Sequence, residues 1–162
     1  LSRTKFENEF RTSATNDMFI YKLRDVFIPT EYRSKIKLPK NYFDLILFKT
    51  PILLLLELKS SGEKSISFDE KIIKKHQIDS LERFNQIPYV FSGFVLNYRN
   101  YNNSTYFVYI DDFIRFKKET SKKSISLTDC QEIGLQIENK IKKSRYIYDL
   151  EKFIEDVQRI YL

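Results

Sequence analysis

The alternation of apolar and polar positions divides the chain into a mixed series of helices and strands. Arg3 to Ser13 places Phe6 and Phe10 four apart, on one helical face. Met18 to Leu23 reads as a strand, and Arg24 to Lys40 as a basic, irregular stretch broken by Pro29 and Pro39. Two strong strands follow, Asn41 to Phe48 and Ile52 to Lys59, joined by a turn at Lys49-Thr50-Pro51. The second is apolar on both faces until Glu57, as expected in the middle of a covered sheet. Ser60 to Phe68 reads as a polar loop. Asp69 to Phe84 reads as a helix capped by Asp69, with Ile73, Gln77, Leu81 and Phe84 along one stripe. Tyr89 to Tyr98 and Thr105 to Ile110 are two further strands, turned by the Asn-rich stretch Asn100 to Ser104. Short helices are predicted over Asp111 to Lys118 and Thr128 to Ile133, the latter stopped by Gly134. Tyr148 to Leu162 is an amphipathic helix with Leu150, Phe153, Ile154, Val157 and Ile160 on its apolar side. The pattern is that of a single α/β domain over residues 1–162.

Composition narrows the chemistry. A chain of 162 residues buries a core without a disulfide or metal staple. With only 3 glycines and no phosphate-cradling motif, Gly-rich nucleotide loops are disfavoured. The lone Cys130 permits no intramolecular disulfide and no cysteine-based zinc site, and the lone His76 argues against triads and His-rich metal sites. A reducing, cytoplasmic setting is expected. The longest apolar run, Pro51 to Leu56, is too short to cross a membrane, and no signal-peptide pattern is visible. The chain begins at Leu1 rather than Met, so a few residues are expected to precede it. The net charge of +6 points equally to a polyanionic partner and to a solvated lysine-rich surface.

The informative constellation is Asp44, Glu57 and Lys59. Asp44 interrupts an apolar strand, where a bare carboxylate is expensive unless paired or bound to a cation. Glu57 and Lys59 share a face, because side chains two apart on a strand point the same way. The turn at residues 49–51 makes the two strands antiparallel neighbours. Asp44 and Glu57 lie at similar distances from it, so the three side chains are expected to meet at one end of the sheet. Two carboxylates with open positions suit Mg²⁺ or Mn²⁺. Such an ion neutralises charge building on a phosphate and makes water more acidic, and Lys59 can stabilise the phosphorus transition state. The alternative is that Glu57 and Lys59 mark where a core strand emerges into water.

The order D-x12-E-L-K between two hydrophobic strands, followed by a helix containing His76-Gln77-Ile78, resembles the PD-(D/E)XK nuclease superfamily. More narrowly, it resembles short, phage-like forms of the RecU-type Holliday junction resolvases. Segments matching in order include Lys5-Phe6-Glu7, Phe19 to Asp25, Phe43-Asp44-Leu45-Ile46, Leu56 to Ser60, Ser92 to Arg99 and Ser144 to Asp149. Phe43 stands where the nominal proline would, Ser2-Arg3-Thr4 stand where a glycine is usual, and the segment before Asp44 is short. The resemblance implies a restriction-endonuclease-like fold, a mixed central sheet flanked by helices. It implies Asp44 and Glu57 as metal ligands and Lys59 as the catalytic lysine. Glu7 would be the first-helix acid that completes the site, and Gln77 the glutamine that approaches from the following helix. For Glu7 a solvated helix charge is the alternative, and for Gln77 a polar helix–sheet contact.

A DNA surface is expected from Lys22, Arg24, Arg33, Lys35, Lys37 and Lys40, with Lys64 in the loop after Lys59 and Lys71, Lys74, Lys75 and His76 beyond it. Contacts of this kind grip phosphates without reading sequence. Tyr32 and Tyr42 are the aromatic residues placed to stack on bases. The resulting expectation is a Mg²⁺-dependent endonuclease, with Mn²⁺ as the other candidate ion. It would cut four-way DNA junctions as a homodimer whose two-fold axis matches the junction's own, with the terminal helix and the strand at Tyr89 to Tyr98 both offering apolar surface for pairing. The rivals are another nuclease on the same fold, a DNA-binding module that does not cut, and a structural protein with a basic surface.

Overall fold

The leucine-rich run after Pro51 becomes the centre of a sheet whose two faces are both covered. A computed structural model describes residues 2–162; Leu1 and the side chain of Ser2 lie outside the described residues. The elements in chain order are α1 (Ser2–Thr12), β1 (Phe19–Lys22), β2 (Leu45–Lys49), β3 (Ile52–Ser61), β4 (Ser65–Ser67), α2 (Lys75–Phe84), β5 (Val90–Tyr98) and β6 (Ser104–Tyr109). Then come α3 (Ile110–Glu119), β7 (Ser124–Ser126), α4 (Leu127–Ile133), β8 (Leu135–Gln136), β9 (Asn139–Lys142), β10 (Arg145–Tyr148) and α5 (Leu150–Tyr161). Six strands form the main sheet in the order β1-β2-β3-β5-β6-β8. The β3–β5 pair is parallel and the rest are antiparallel. The fold is thus α/β with a mixed central sheet flanked by helices, as the sequence led us to expect.

Strand alternation sorts the side chains into two cores. Leu45, Leu47, Leu54, Leu56 and Leu58 pack with Phe6 and Phe10 of α1 and Phe153, Ile154 and Val157 of α5. Leu55, Phe94, Leu96 and Val108 pack on the other face with Leu81 of α2, Phe113 of α3 and Cys130 of α4. Glu57 and Lys59 follow Leu55 at two-residue steps, so they lie on the α2 face. α3 is braced by Asp111 and Asp112 in its first turn and Lys117 and Lys118 in its last, each complementing the helix dipole.

Several expectations need correction. Residues 60–68 are not a loop throughout: β3 runs on to Ser61 because its parallel partner β5 continues to Tyr98, and Ser65–Ser67 pairs with Ser124–Ser126. α2 begins at Lys75, six residues after Asp69. Asp69 instead closes a turn, its carboxylate accepting from the Lys71 N–H at 2.8 Å and its carbonyl from Ile73 at 2.9 Å. β2 starts at Leu45 rather than Asn41. Ile160 is 48 % exposed, beyond the reach of the core that takes Val157. The strand at 89–98 and the last helix, expected to offer apolar surface to a second copy, spend most of it inside the fold, leaving Tyr89 and Ile160 exposed. All nine residues of β5 are buried, and α5 turns its apolar side to the sheet. Exposed apolar side chains also stand at the sheet edge, on Phe19, Tyr21 and Phe48, and in the segment after β1, on Val26 and Phe27.

Two features predict measurable behaviour. A Cβ on Gly93 would sit 2.3 Å from the Val108 carbonyl oxygen and 2.7 Å from the Phe107 ring. The first neighbour is backbone and cannot swing aside, so Gly93→Ala should destabilise by about 3 kcal/mol, the upper end of overpacking costs, as read by urea denaturation. Cys130 is fully buried, and burial pushes its thiol up to about 12 against the pull of the Tyr98 hydroxyl, 3.2 Å away. Without thiolate or access it should ignore a disulfide reagent at pH 8 in the native protein and react at once in denaturant.

Candidate active site

Register brings the three sequence-marked residues together. Leu45 pairs with Leu56, which sets Asp44 opposite Glu57, and the Asp44 N–H donates to the Leu56 carbonyl at 3.0 Å. The Asp44 carboxylate accepts the Leu58 N–H at 2.9 Å, which ties it to the neighbouring strand. Lys59 Nζ stands 3.0 Å from Glu57 Oε1. Glu57 and Lys59 are 1 % and 6 % exposed, whereas the Asp44 side chain keeps 20 % of its surface, so Asp44 faces the opening.

Gln77 reaches the same point from α2. Its Oε1 accepts the Lys74 N–H at 3.0 Å, satisfying one of the free donors at the helix start, and its Nε2 donates to Glu57 Oε1 at 2.6 Å. The capping contact fixes the amide so that its NH₂ faces the carboxylate. Glu7 lies beside this point rather than in it: it sits on α1, which covers the opposite face, lines the neighbouring cleft and is linked to the site through Arg3. It is 6 % exposed and pairs with Lys22 of β1. The cavity enclosed by Asp44, Glu57, Lys59, Gln77 and Lys74 measures about 150 Å³.

The residue that sequence reasoning passed over is Arg3. Its Nε donates to Glu7 Oε1 at 2.8 Å, its Nη2 donates to Asp44 Oδ2 at 3.2 Å, and Nη2 stands 3.8 Å from Glu57 Oε1. The visible signal was the i,i+4 spacing of Arg3 and Glu7 on a predicted helix. The contact across the sheet end depends on how α1 docks, which spacing alone does not encode. Burial works against the Arg3 charge, but the carboxylates of Asp44, Glu7 and Glu57 outweigh it and raise its pKa.

Glu57 is the strained charge of the site. Burial, followed by the neighbouring Asp44 carboxylate, pushes it up to about 7 against the pull of Lys59 and Arg3. The folded, metal-free protein therefore keeps a proton on Glu57 between about 4.5 and about 7 that the unfolded chain has released. The stability this group contributes is full below about 4.5 and is lost as pH rises through about 7. In EDTA the protein should be about 1 kcal/mol less stable at pH 8 than at pH 6. Asp44→Asn removes the adjacent charge while leaving His76 in place, so it should narrow that difference.

The basic residues divide into groups. Lys22 and Arg24 line a cleft beside Arg3 and Arg11, with the Lys22 amine turned to Glu7. Arg33, Lys37, Lys40 and His76 border a second cleft, in which burial and then the charges of Lys40 and Lys74 hold His76 below its ordinary pKa. Lys35 and Lys64 are exposed and border neither of these two clefts. Lys75 is exposed and pairs with Asp79 at 2.6 Å. Tyr42 packs edge-on to Phe84 with Arg83 over its ring, whereas Tyr32 is half exposed in a single helical turn, Thr30–Tyr32. Among the described residues no three His, Cys, Asp or Glu side chains form a ready metal cluster, and no helix is long and apolar enough to cross a membrane.

No protein-family model matches the chain. Among solved structures it resembles Hjc of Archaeoglobus fulgidus, a Holliday junction resolvase from an archaeal hyperthermophile. That likeness has a TM-score of 0.48 at 12 % identity, covering 74 % of this chain and 83 % of the other. Among curated proteins, the SPbeta prophage-derived uncharacterized protein YotM of Bacillus subtilis (strain 168) is 36 % identical over 154 residues, 88 % of this chain and 78 % of the relative. A match of that extent and identity makes this chain a member of the YotM family.

Proposed function

We propose that this protein is a divalent-metal-dependent DNA endonuclease of the PD-(D/E)XK type, with RecU-like selectivity for four-way junctions. The observation that carries the reading is the convergence of Asp44, Glu57, Lys59 and Gln77 at one end of β2 and β3. A protein has little structural reason to bury Glu57 beside Asp44 at the cost of lifting it to about 7. A cation held between two carboxylates removes that cost, so the donor set fits a hard divalent ion.

Asp44 and Glu57 would hold Mg²⁺ or Mn²⁺, which supplies Lewis acidity towards the phosphate and eases deprotonation of water. The remaining work falls to the chain itself. Gln77 fixes Glu57 by hydrogen bonding to Oε1, leaving Oε2 outside that contact. Lys59 offers a positive charge where negative charge accumulates on the phosphoryl oxygens. Water attacks phosphorus and the bond to O3′ breaks. The 3′ oxygen takes up a proton, leaving 5′-phosphate and 3′-hydroxyl ends.

Two basic clefts, the first of them lined by Asp44, suit a phosphate backbone, and their contacts carry no base readout. Junction selectivity is part of the proposal, as is a homodimer, which gives two sites related by the symmetry of the junction. A prophage-derived relative fits a role in phage DNA processing. The test is a labelled four-way junction incubated with Mg²⁺. Metal-dependent cutting of linear duplex as readily as of the junction would replace junction resolution with a broader nuclease activity. One observation favours a second reading, a DNA-binding module that does not cut: Arg3, Lys22 and Lys59 already pair the three carboxylates. Junction binding without cleavage in either Mg²⁺ or Mn²⁺ would establish that reading.

A further inference from the structure

Arg3 is the cation of the site that reaches the most carboxylates, and the proposed chemistry assigns it no task. A single guanidinium touches three carboxylates, with its Nε on Glu7 at 2.8 Å and its Nη2 3.2 Å from Asp44 and 3.8 Å from Glu57. Three clefts open onto this side chain. One is the cavity over Glu57 and Lys59, one is lined by Lys22 and Arg24, and one runs along Ser60, Ser65 and Lys71.

The ion-paired side chains of the site balance once all are charged. Glu7, Asp44 and Glu57 oppose Arg3, Lys22 and Lys59, three against three. A divalent ion added to that set would bring two uncompensated charges into a half-buried space, which is costly. The site accepts the ion most cheaply if a resident cation leaves. The Lys59 side chain is 7 % exposed and that of Lys22 27 %, whereas Arg3 is 51 % exposed. Arg3 also sits in the first turn of α1, so its release disturbs neither the sheet nor a core. Pairs this exposed are weak enough to be exchanged for an ion.

We infer that Arg3 is a resident counter-cation of the metal-free site, holding Glu7, Asp44 and Glu57 together until a divalent ion displaces it. The inference rests on the proposed metal-dependent reading and adds a competition that sets how tightly the ion binds. The guanidinium bridges Glu7 to the other two acids, where an ion would have to enter.

The experiment is calorimetric titration of Mn²⁺ into the metal-free protein without DNA, comparing wild type, Arg3→Gln, Arg3→Lys and Asp44→Asn. Arg3→Gln should bind Mn²⁺ up to about fivefold more tightly than wild type, the yield of removing one partly screened ion pair. Arg3→Lys should fall between the two, and Asp44→Asn should lose binding. If Arg3→Gln binds no tighter than wild type while Asp44→Asn still abolishes binding, the competition is wrong and the metal site stands. If neither wild type nor Arg3→Gln binds Mn²⁺, the metal reading fails and takes the inference with it. The wild-type protein supplies a check that needs no variant. The Arg3 Nε–Hε NMR signal should move to the position of a free guanidinium as Mg²⁺ saturates the site, and a signal that stays fixed would overturn the inference.

Discussion

Asp44→Asn should cut junction cleavage by about 10³-fold or more while leaving junction binding intact. The substitution keeps the side chain's shape and its oxygen for the Leu58 N–H at 2.9 Å, so the strand ends stay in register. What it removes is one of two charges available to a divalent ion. Metal assistance is worth several kcal/mol of transition-state stabilisation, and each 1.4 kcal/mol is a factor of ten in rate. Binding should be unchanged or tighter in EDTA, because one negative charge has left a cleft meant for phosphates. Gel-shift and cleavage assays on the same junction separate the two effects. A variant that cut at the wild-type rate would remove Asp44 from the site.

Lys59→Met should lower cleavage by about 10²- to 10³-fold, the usual loss when one preorganised charge is withdrawn from a transition state. A second effect accompanies it. Lys59 is among the groups holding Glu57 down, so its loss lifts Glu57 further above about 7. The protonated acid is a poor metal ligand, so the pH at which Mn²⁺ binds half-maximally should rise in the variant. A purely structural lysine would give a less stable protein with an unmoved pH profile. Mn²⁺ titrations at several pH values distinguish the two.

Much of this site was legible before the fold was known. A turn of fixed length between two apolar strands, with strand alternation, was enough to place Asp44 opposite Glu57 and to align Glu57 with Lys59. Gln77 was implied by the resemblance, and its place on the helical stripe with Leu81 agrees with its turning to the sheet, although the helix starts later than the pattern implied. The later start has a physical cause: Asp69 spends its carboxylate and carbonyl closing a turn, and Ile73 is buried from that turn rather than from a helix. What the sequence could not show were contacts between distant segments. Ser65–Ser67 becomes a strand only because Ser124–Ser126 lies alongside it, and two identical Ser-Ile-Ser triplets carry no local strand signal of their own. Arg3 belongs to the same class. Its pairing with Glu7 was implicit in the helical spacing, but its reach to Asp44 depends on where α1 crosses the sheet end. The apolar surface open to a second copy was misplaced for a related reason. An apolar strand and an amphipathic helix look alike in sequence whether they face a partner or the chain's own core.

The most direct test of the central claim uses an immobile four-way junction and a linear duplex of matched sequence, each with Mg²⁺ or with EDTA. Paired, symmetric nicks on the junction alone, absent in EDTA and in Asp44→Asn, are the expected result. Tight junction binding with no cutting in Mg²⁺ or Mn²⁺ would contradict it.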